Sequence, residues 1–178
     1  SFNKRNWDYA RDLFLQVLVL VPGHVNARKA LRATILKKFQ EQGAPGKLKL
    51  MGLNASTSTQ LAMAKNKPDK VLELCQKHLL DDPGNSKIRG TLATALKEQG
   101  HTEASATEAE MALETDPHNI IAAKCLVQCY KDLGKIKEAQ AILAKVASHA
   151  PDDRDLEKMQ RDLAATETMN KGFEDTKE

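Results

Sequence analysis

The stretch DPGNSKIRGTLATALKEQG, residues 82–100, returns as DPHNIIAAKCLVQCYKDLG at residues 116–134. The copies share Asp-Pro at 82–83 and 116–117, Asn85 with Asn119, Leu92 with Leu126, Lys97 with Lys131, and Gly100 with Gly134. Every match falls on a 34-residue step, which Leu79 and Leu113 extend upstream and Pro151 extends downstream. Agreement at this many positions in one register marks a repeated structural unit.

The unit is helical. Apolar residues recur at helical spacing through 68–81, 86–99, 102–115, 120–133 and 136–149, so each segment is expected to form a helix. Asn85 and Asn119 stand where a side chain can cap the next helix, and Thr102 is placed to do the same after Gly100. Gly100 and Gly134 supply the positive-φ residue that ends a helix. Asp152 is placed to begin a last helix with a thin apolar stripe of Leu156, Met159 and Leu163, suited to closing an array on one side and meeting water on the other.

Carried backwards, the register finds Asp8, Leu13, Leu18, Pro22 and Gly23 again as Asp69, Leu74, Leu79, Pro83 and Gly84, on a 61-residue step. Residues 6–23 therefore read as the second helix of a truncated unit, whose partner helix would precede Ser1. Residues 25–41 spell another helix with Ala27, Leu31, Ile35 and Phe39 on its apolar side. Lys47 to Lys65 reads both ways, because Ser56-Thr57-Ser58-Thr59 competes for backbone hydrogen bonds.

The expected organisation is one array over 1–170. It comprises the half unit 6–23, an irregular basic insertion at 25–51, units at 52–85, 86–119 and 120–153, and a capping helix at 152–170, with a polar tail at 171–178. Composition agrees: Ala, Leu, Lys, Glu and Gln dominate, aromatics are 4%, and no apolar run approaches the ~20 residues that span a bilayer. Three cysteines, Cys75, Cys125 and Cys129, make no disulfide framework and fit a reducing, cytoplasmic compartment.

Paired helices of this length on a 34-residue period resemble tetratricopeptide repeats. The unit 86–119 places Arg89, Leu92, Ala93 and Leu96 at the first-helix positions, then Ser105, Ala109 and Ala112 before Pro117. The unit 120–153 places Ala123, Leu126, Val127 and Tyr130, then Ala139, Leu143 and Val146 before Pro151. The family's tryptophan is absent from both, and the resemblance is strongest over 67–151. It implies an all-α fold: a right-handed superhelical array of antiparallel helix hairpins. It also implies a non-catalytic scaffold that takes a peptide or partner protein in its concave groove.

The matching groove positions are Lys87, Thr94, Lys97, Lys124, Gln128 and Lys131, with Gly90 and Ile121 between them. Four lysines there suggest an acidic peptide. Thr94 and Gln128 stand where the carboxylate-gripping version of the fold would want Asn, so that clamp is not expected. Residues 1–51 hold ten Lys/Arg against three Asp/Glu, and Arg28, Lys29, Arg32, Lys37 and Lys38 are expected on the exposed side of their helix. That basic segment, 28–49, is the basis of an alternative reading as a nucleic-acid-binding repeat. Modest net charge and few aromatics count against it. A third reading, the regulatory arm of a larger enzyme, finds no internal support: no phosphate loop, nucleophile elbow or zinc spacing occurs. No cofactor or metal is expected, and Cys125 and Cys129 read as packed core residues. The pair Glu108/Glu110 reads as helix-terminus or surface charge. The exposed half unit offers a face for self-association.

Overall fold

The computed structural model describes residues 2–174, with side chains described over 6–169. Its order is α1 (Phe2–Leu20), α2 (Val25–Gln42), α3 (Lys47–Met63), α4 (Pro68–Asp81), α5 (Ser86–Glu98), α6 (Thr102–Thr115), α7 (Ile120–Asp132), α8 (Ile136–Ala147) and α9 (Arg154–Glu174). Among the described residues there is no strand, and the fold is an all-α helical repeat solenoid. The tail expected at 171–178 falls partly in the last turn of α9 and otherwise outside the described residues.

The repeat punctuation works as its chemistry requires. Asn85 accepts from the Ile88 amide at 3.0 Å, and Asn119 accepts from the Ala122 amide at 2.9 Å. Gly100 and Gly134 take φ of 82° and 74°. At both ends the glycine amide and the next amide turn back onto the preceding helix, Gly100 to Lys97 and His101 to Leu96, then Gly134 to Lys131 and Lys135 to Tyr130.

Two helix starts differ from expectation. The residue before α6 is His101, and Thr102 opens the helix without a capping bond. At α9 the cap is Asp153 rather than Asp152, accepting from the amides of Asp155 and Leu156 at 3.0 and 3.2 Å.

The segment 47–63 is helical despite its hydroxyls. Thr59 returns its hydroxyl to the carbonyl of Ala55 at 3.0 Å, so it satisfies itself inside the helix. Only Thr57 of α3 is buried. Its attachment joins Leu61, packed against the core, to two polar contacts: Thr57 meets His78 Nδ1 at 2.8 Å, and Asn54 accepts from Asn85 at 3.0 Å.

From α3 onward consecutive helices pack, and α5 also packs on α7. Small residues sit where helices cross. Ala93, Ser105, Ala112 and Ala139 are wholly buried, which lets the backbones approach closely. Gly90 serves the same contact: a Cβ there would lie 3.4 Å from Asn119 and the Ala122 amide.

The α1–α2 hairpin behaves differently. Asp8 holds Lys38 at 2.6 Å and Trp7 donates to Glu41 at 2.6 Å, so the helices run antiparallel. Instead of continuing in sequence onto α3, α2 lies against α6. A buried ionic cluster fixes it there. Arg28 donates to the Pro22 carbonyl through Nε at 2.9 Å and Nη2 at 2.6 Å. Arg89, 61 residues later, donates to the Pro83 carbonyl at 2.8 Å. Both guanidiniums then meet one carboxylate of α6: Glu108 lies 3.2 Å from Arg28 and 2.6 Å from Arg89.

Candidate functional site

The face shared by α5 and α7 brings together part of the expected groove set, and Lys87 and Lys124 stand outside its clefts. Lys97, Gln128 and Lys131 line one cleft of about 190 Å³ together with Asp132, and α9 closes its far side with Met159, Asp162 and Leu163. Val127 forms its floor. Thr94 lines a neighbouring cleft of about 240 Å³, between Leu61 of α3, Lys65 of the turn after it and Ile121 of α7. Lys87 is exposed beyond both clefts, at the start of α5.

The lysines are not equivalent. Lys97 pairs with Asp132, and that hydrogen bond raises its pKa against the cost of desolvation. Lys124 bridges Asp153 at 2.8 Å and Asp155 at 3.1 Å. Desolvation acts to lower its pKa, but the two aspartates outweigh it and the pKa is raised. Among the described residues Lys87 and Lys131 make no ion pair. The face therefore carries much less free positive charge than four lysines suggest.

Sequence reading missed Asp132, Asp162, Met159 and Leu163 as members of this face. A signal for the first existed: Asp132 lies one residue beyond a full 34-residue step from Lys97. In stacked units that spacing puts a charge beside its counterpart on the next helix.

The expected basic patch does not form as a surface. Arg28 is 2% exposed, held inside by Pro22, Gln76 and Glu108. Burial lowers its pKa, and Glu108 opposes that. Arg32 pairs with Glu114 at 2.7 Å and Lys38 with Asp8 at 2.6 Å, leaving Lys29 and Lys37 exposed. Glu108 is likewise not surface charge but 2% exposed.

Cys125 and Cys129 lie beneath the groove in the core. Ser105 Oγ, 3.2 Å from both sulfurs, donates to the Ala93 carbonyl at 2.6 Å. Among the described residues no group of three or more His, Cys, Asp or Glu is placed to hold a metal.

A family model for the tetratricopeptide repeat matches residues 106–163. Within that stretch the chain resembles the tetratricopeptide repeat, and as a whole it is an all-α helical repeat solenoid. Its fold is similar to the first such repeat domain of Spaghetti (RPAP3), solved bound to the HSP90 peptide SRMEEVD. That likeness has a TM-score of 0.61 at 15% identity and covers 70% of this chain and 99% of that one. It is also similar to TTC0263, a thermophilic repeat protein of Thermus thermophilus. There the TM-score is 0.52 at 18% identity, over 92% of this chain and 93% of that one. At these identities the likeness speaks for the fold of the repeat array. No curated protein matches the chain in sequence. Among the described residues no helix is long and apolar enough to cross a membrane.

Proposed function

We propose that this array is a non-catalytic protein-interaction scaffold that receives a peptide along the face built by α5 and α7. The observation that carries the reading is the cleft where Lys97, Gln128 and Lys131 converge over Val127, Met159 and Leu163. Such a cleft pairs an apolar floor with a few polar anchors, which is how a groove fixes both the seat and the register of a peptide. Because Lys97 and Lys124 already hold aspartates, the free anchor is Lys131. A ligand with one carboxylate beside an aliphatic side chain fits better than a strongly acidic tract. The solved neighbour with a bound HSP90 peptide supports peptide binding as a use of this fold.

The test is selection of peptides from a random display library, followed by titration of the enriched sequences. Enriched peptides should carry an acidic residue next to an aliphatic one. Replacing Lys131→Glu should weaken them by about tenfold, the effect of reversing one anchoring charge at a partly screened site. No enrichment over an unrelated helical protein would remove this reading, as would unchanged affinity in Lys131→Glu and Gln128→Ala.

A further inference from the structure

Helix α3 is apolar on two sides. Leu50, Leu53, Thr57 and Leu61 are half-buried or buried and face the array. On the opposite side, at spacings that keep residues on one helix face, stand Leu48, Met51, Ala55, Thr59 and Met63, all exposed. Leu48 is 85% exposed, Met63 81% and Met51 68%. Residues 50–64 contain no charged side chain. The outward side of a surface helix ordinarily carries charge, so an uncharged outer face marks an interaction surface.

Charge gathers at the two ends of α3, and it is of one sign. Residues 42–68 hold Lys47, Lys49, Lys65 and Lys67 and no Asp or Glu. Lys49 holds Asp81 at 3.1 Å. Lys47, Lys65 and Lys67 are exposed and make no ion pair among the described residues. The carboxylates that flank the segment in sequence are committed elsewhere: Glu41 accepts from Trp7 at 2.6 Å and Asp69 from Gln99 at 2.7 Å.

We propose that α3 lies flat on an anionic lipid surface, with Leu48, Met51 and Met63 at the acyl boundary and Lys47, Lys65 and Lys67 among the headgroup phosphates. Apolar side chains set between lysines are how a helix rests in the plane of a negatively charged membrane. Shape favours this occupant. The face is a protruding ridge about 22 Å long, at 1.5 Å per residue from Leu48 to Met63, and a ridge suits a deformable plane, whereas a helical peptide is received in a groove. Charge disfavours a second copy. Pairing α3 with its equivalent brings the lysines of both chains together, with no carboxylate in 42–68 to offset them. The helix rests on the bilayer and does not cross it. The proposal does not depend on peptide binding along α5 and α7, and its test contains no peptide.

The full chain is sedimented with vesicles of phosphatidylcholine alone and with vesicles containing about 30% phosphatidylserine, at low and high salt. Binding to the anionic vesicles should be at least about tenfold tighter than to the neutral ones and should weaken at high salt. Leu48→Ser combined with Met63→Ser should weaken it by about tenfold or more, as should Lys47→Glu combined with Lys65→Glu. All four sites are exposed, and circular dichroism melts matching the parent show that the fold is kept. Absence of binding to either vesicle overturns the proposal, as does equal binding to both or indifference to the two double variants. A dimer that is lost on Leu48→Ser, without vesicle binding by the parent, also overturns it and assigns the face to a second copy.

Discussion

Arg28 and Arg89, 61 residues apart in sequence, hold opposite oxygens of the same buried carboxylate, that of Glu108. Each also caps the carbonyl of the proline six residues before it, so two equivalent turns are tied together through one residue of α6. All three side chains are at most 5% exposed. Removing the carboxylate would strand two guanidiniums in a region of low dielectric. Glu108→Ala is expected to cost about 3–5 kcal/mol, since a buried charge left without its partner is expensive. Urea unfolding checks the size of the effect. Hydrogen exchange checks its location, with Arg28→Ala raising exchange in α1 and α2 more than in α7 and α8.

How far this was legible in the sequence depends on which residues carried the signal. Asn85, Asn119, Gly100 and Gly134 act locally, through a cap or a backbone conformation, and local chemistry is readable from one residue and its neighbours. The helices from 68 to 147 followed from them. Arg28, Arg89 and Glu108 act across three helices, and in sequence each looks like ordinary solvated charge. The 61-residue step that matches Pro22 to Pro83 also matches Arg28 to Arg89, so the equivalence was present. Its meaning was not, because nothing in one chain position announces that a turn will be buried. The lysines of the α5–α7 face were legible in the same partial way: their positions were visible, and the pairing of Lys97 with Asp132 and of Lys124 with Asp153 and Asp155 was not drawn from them.

Gly100 and Gly134 end α5 and α7 in the left-handed region, where an L side chain meets its own carbonyl. Replacing either by Ala is expected to cost about 1–2 kcal/mol. Gly84 has no such φ and open space around it, so Gly84→Ala should stay within about 0.5 kcal/mol of the parent. Chemical denaturation of the three single variants checks this. A loss at Gly84 equal to that at Gly100 would contradict the backbone explanation.

The three cysteines should be silent toward thiol reagents in the native state. Cys75 is wholly buried, and burial pushes its thiol up to about 12. Cys129 is held above its ordinary value by its hydrogen bond with Cys125 and by burial. That same hydrogen bond draws Cys125 down to about 7, but its side chain is packed beneath the groove. A thiol reacts as thiolate and needs access, and access is denied to all three in the core. Mixing with an aromatic disulfide at pH 8 is expected to release no chromophore within minutes, and three equivalents after addition of guanidinium. Rapid native labelling of Cys125, 7% exposed next to the groove, would show that α5 and α7 part readily.

His78 makes the attachment of α3 depend on pH. Its side chain is fully buried against Thr57 at 2.8 Å, with Asn85 at 3.3 Å and Asp82 at 3.6 Å on the other ring nitrogen. The Asn85 side-chain oxygen accepts from the Ile88 amide, and its NH₂ donates to Asn54 and Asp82 at 3.0 Å each. Burial lowers the pKa of His78, and Asp82 and Asp81 only partly oppose that. A histidine lowered below its free value of about 6.5 binds a proton more readily in the unfolded chain. Its contribution to stability is therefore complete above about pH 6.5 and is lost as the pH falls through the lower folded value. Urea midpoints at pH 7.5 and 5.5 should differ in the parent, with the parent less stable at pH 5.5. His78→Gln keeps a polar contact to Thr57 without a titrating group, and it should narrow that difference. An unchanged pH dependence in His78→Gln would assign the effect to another group.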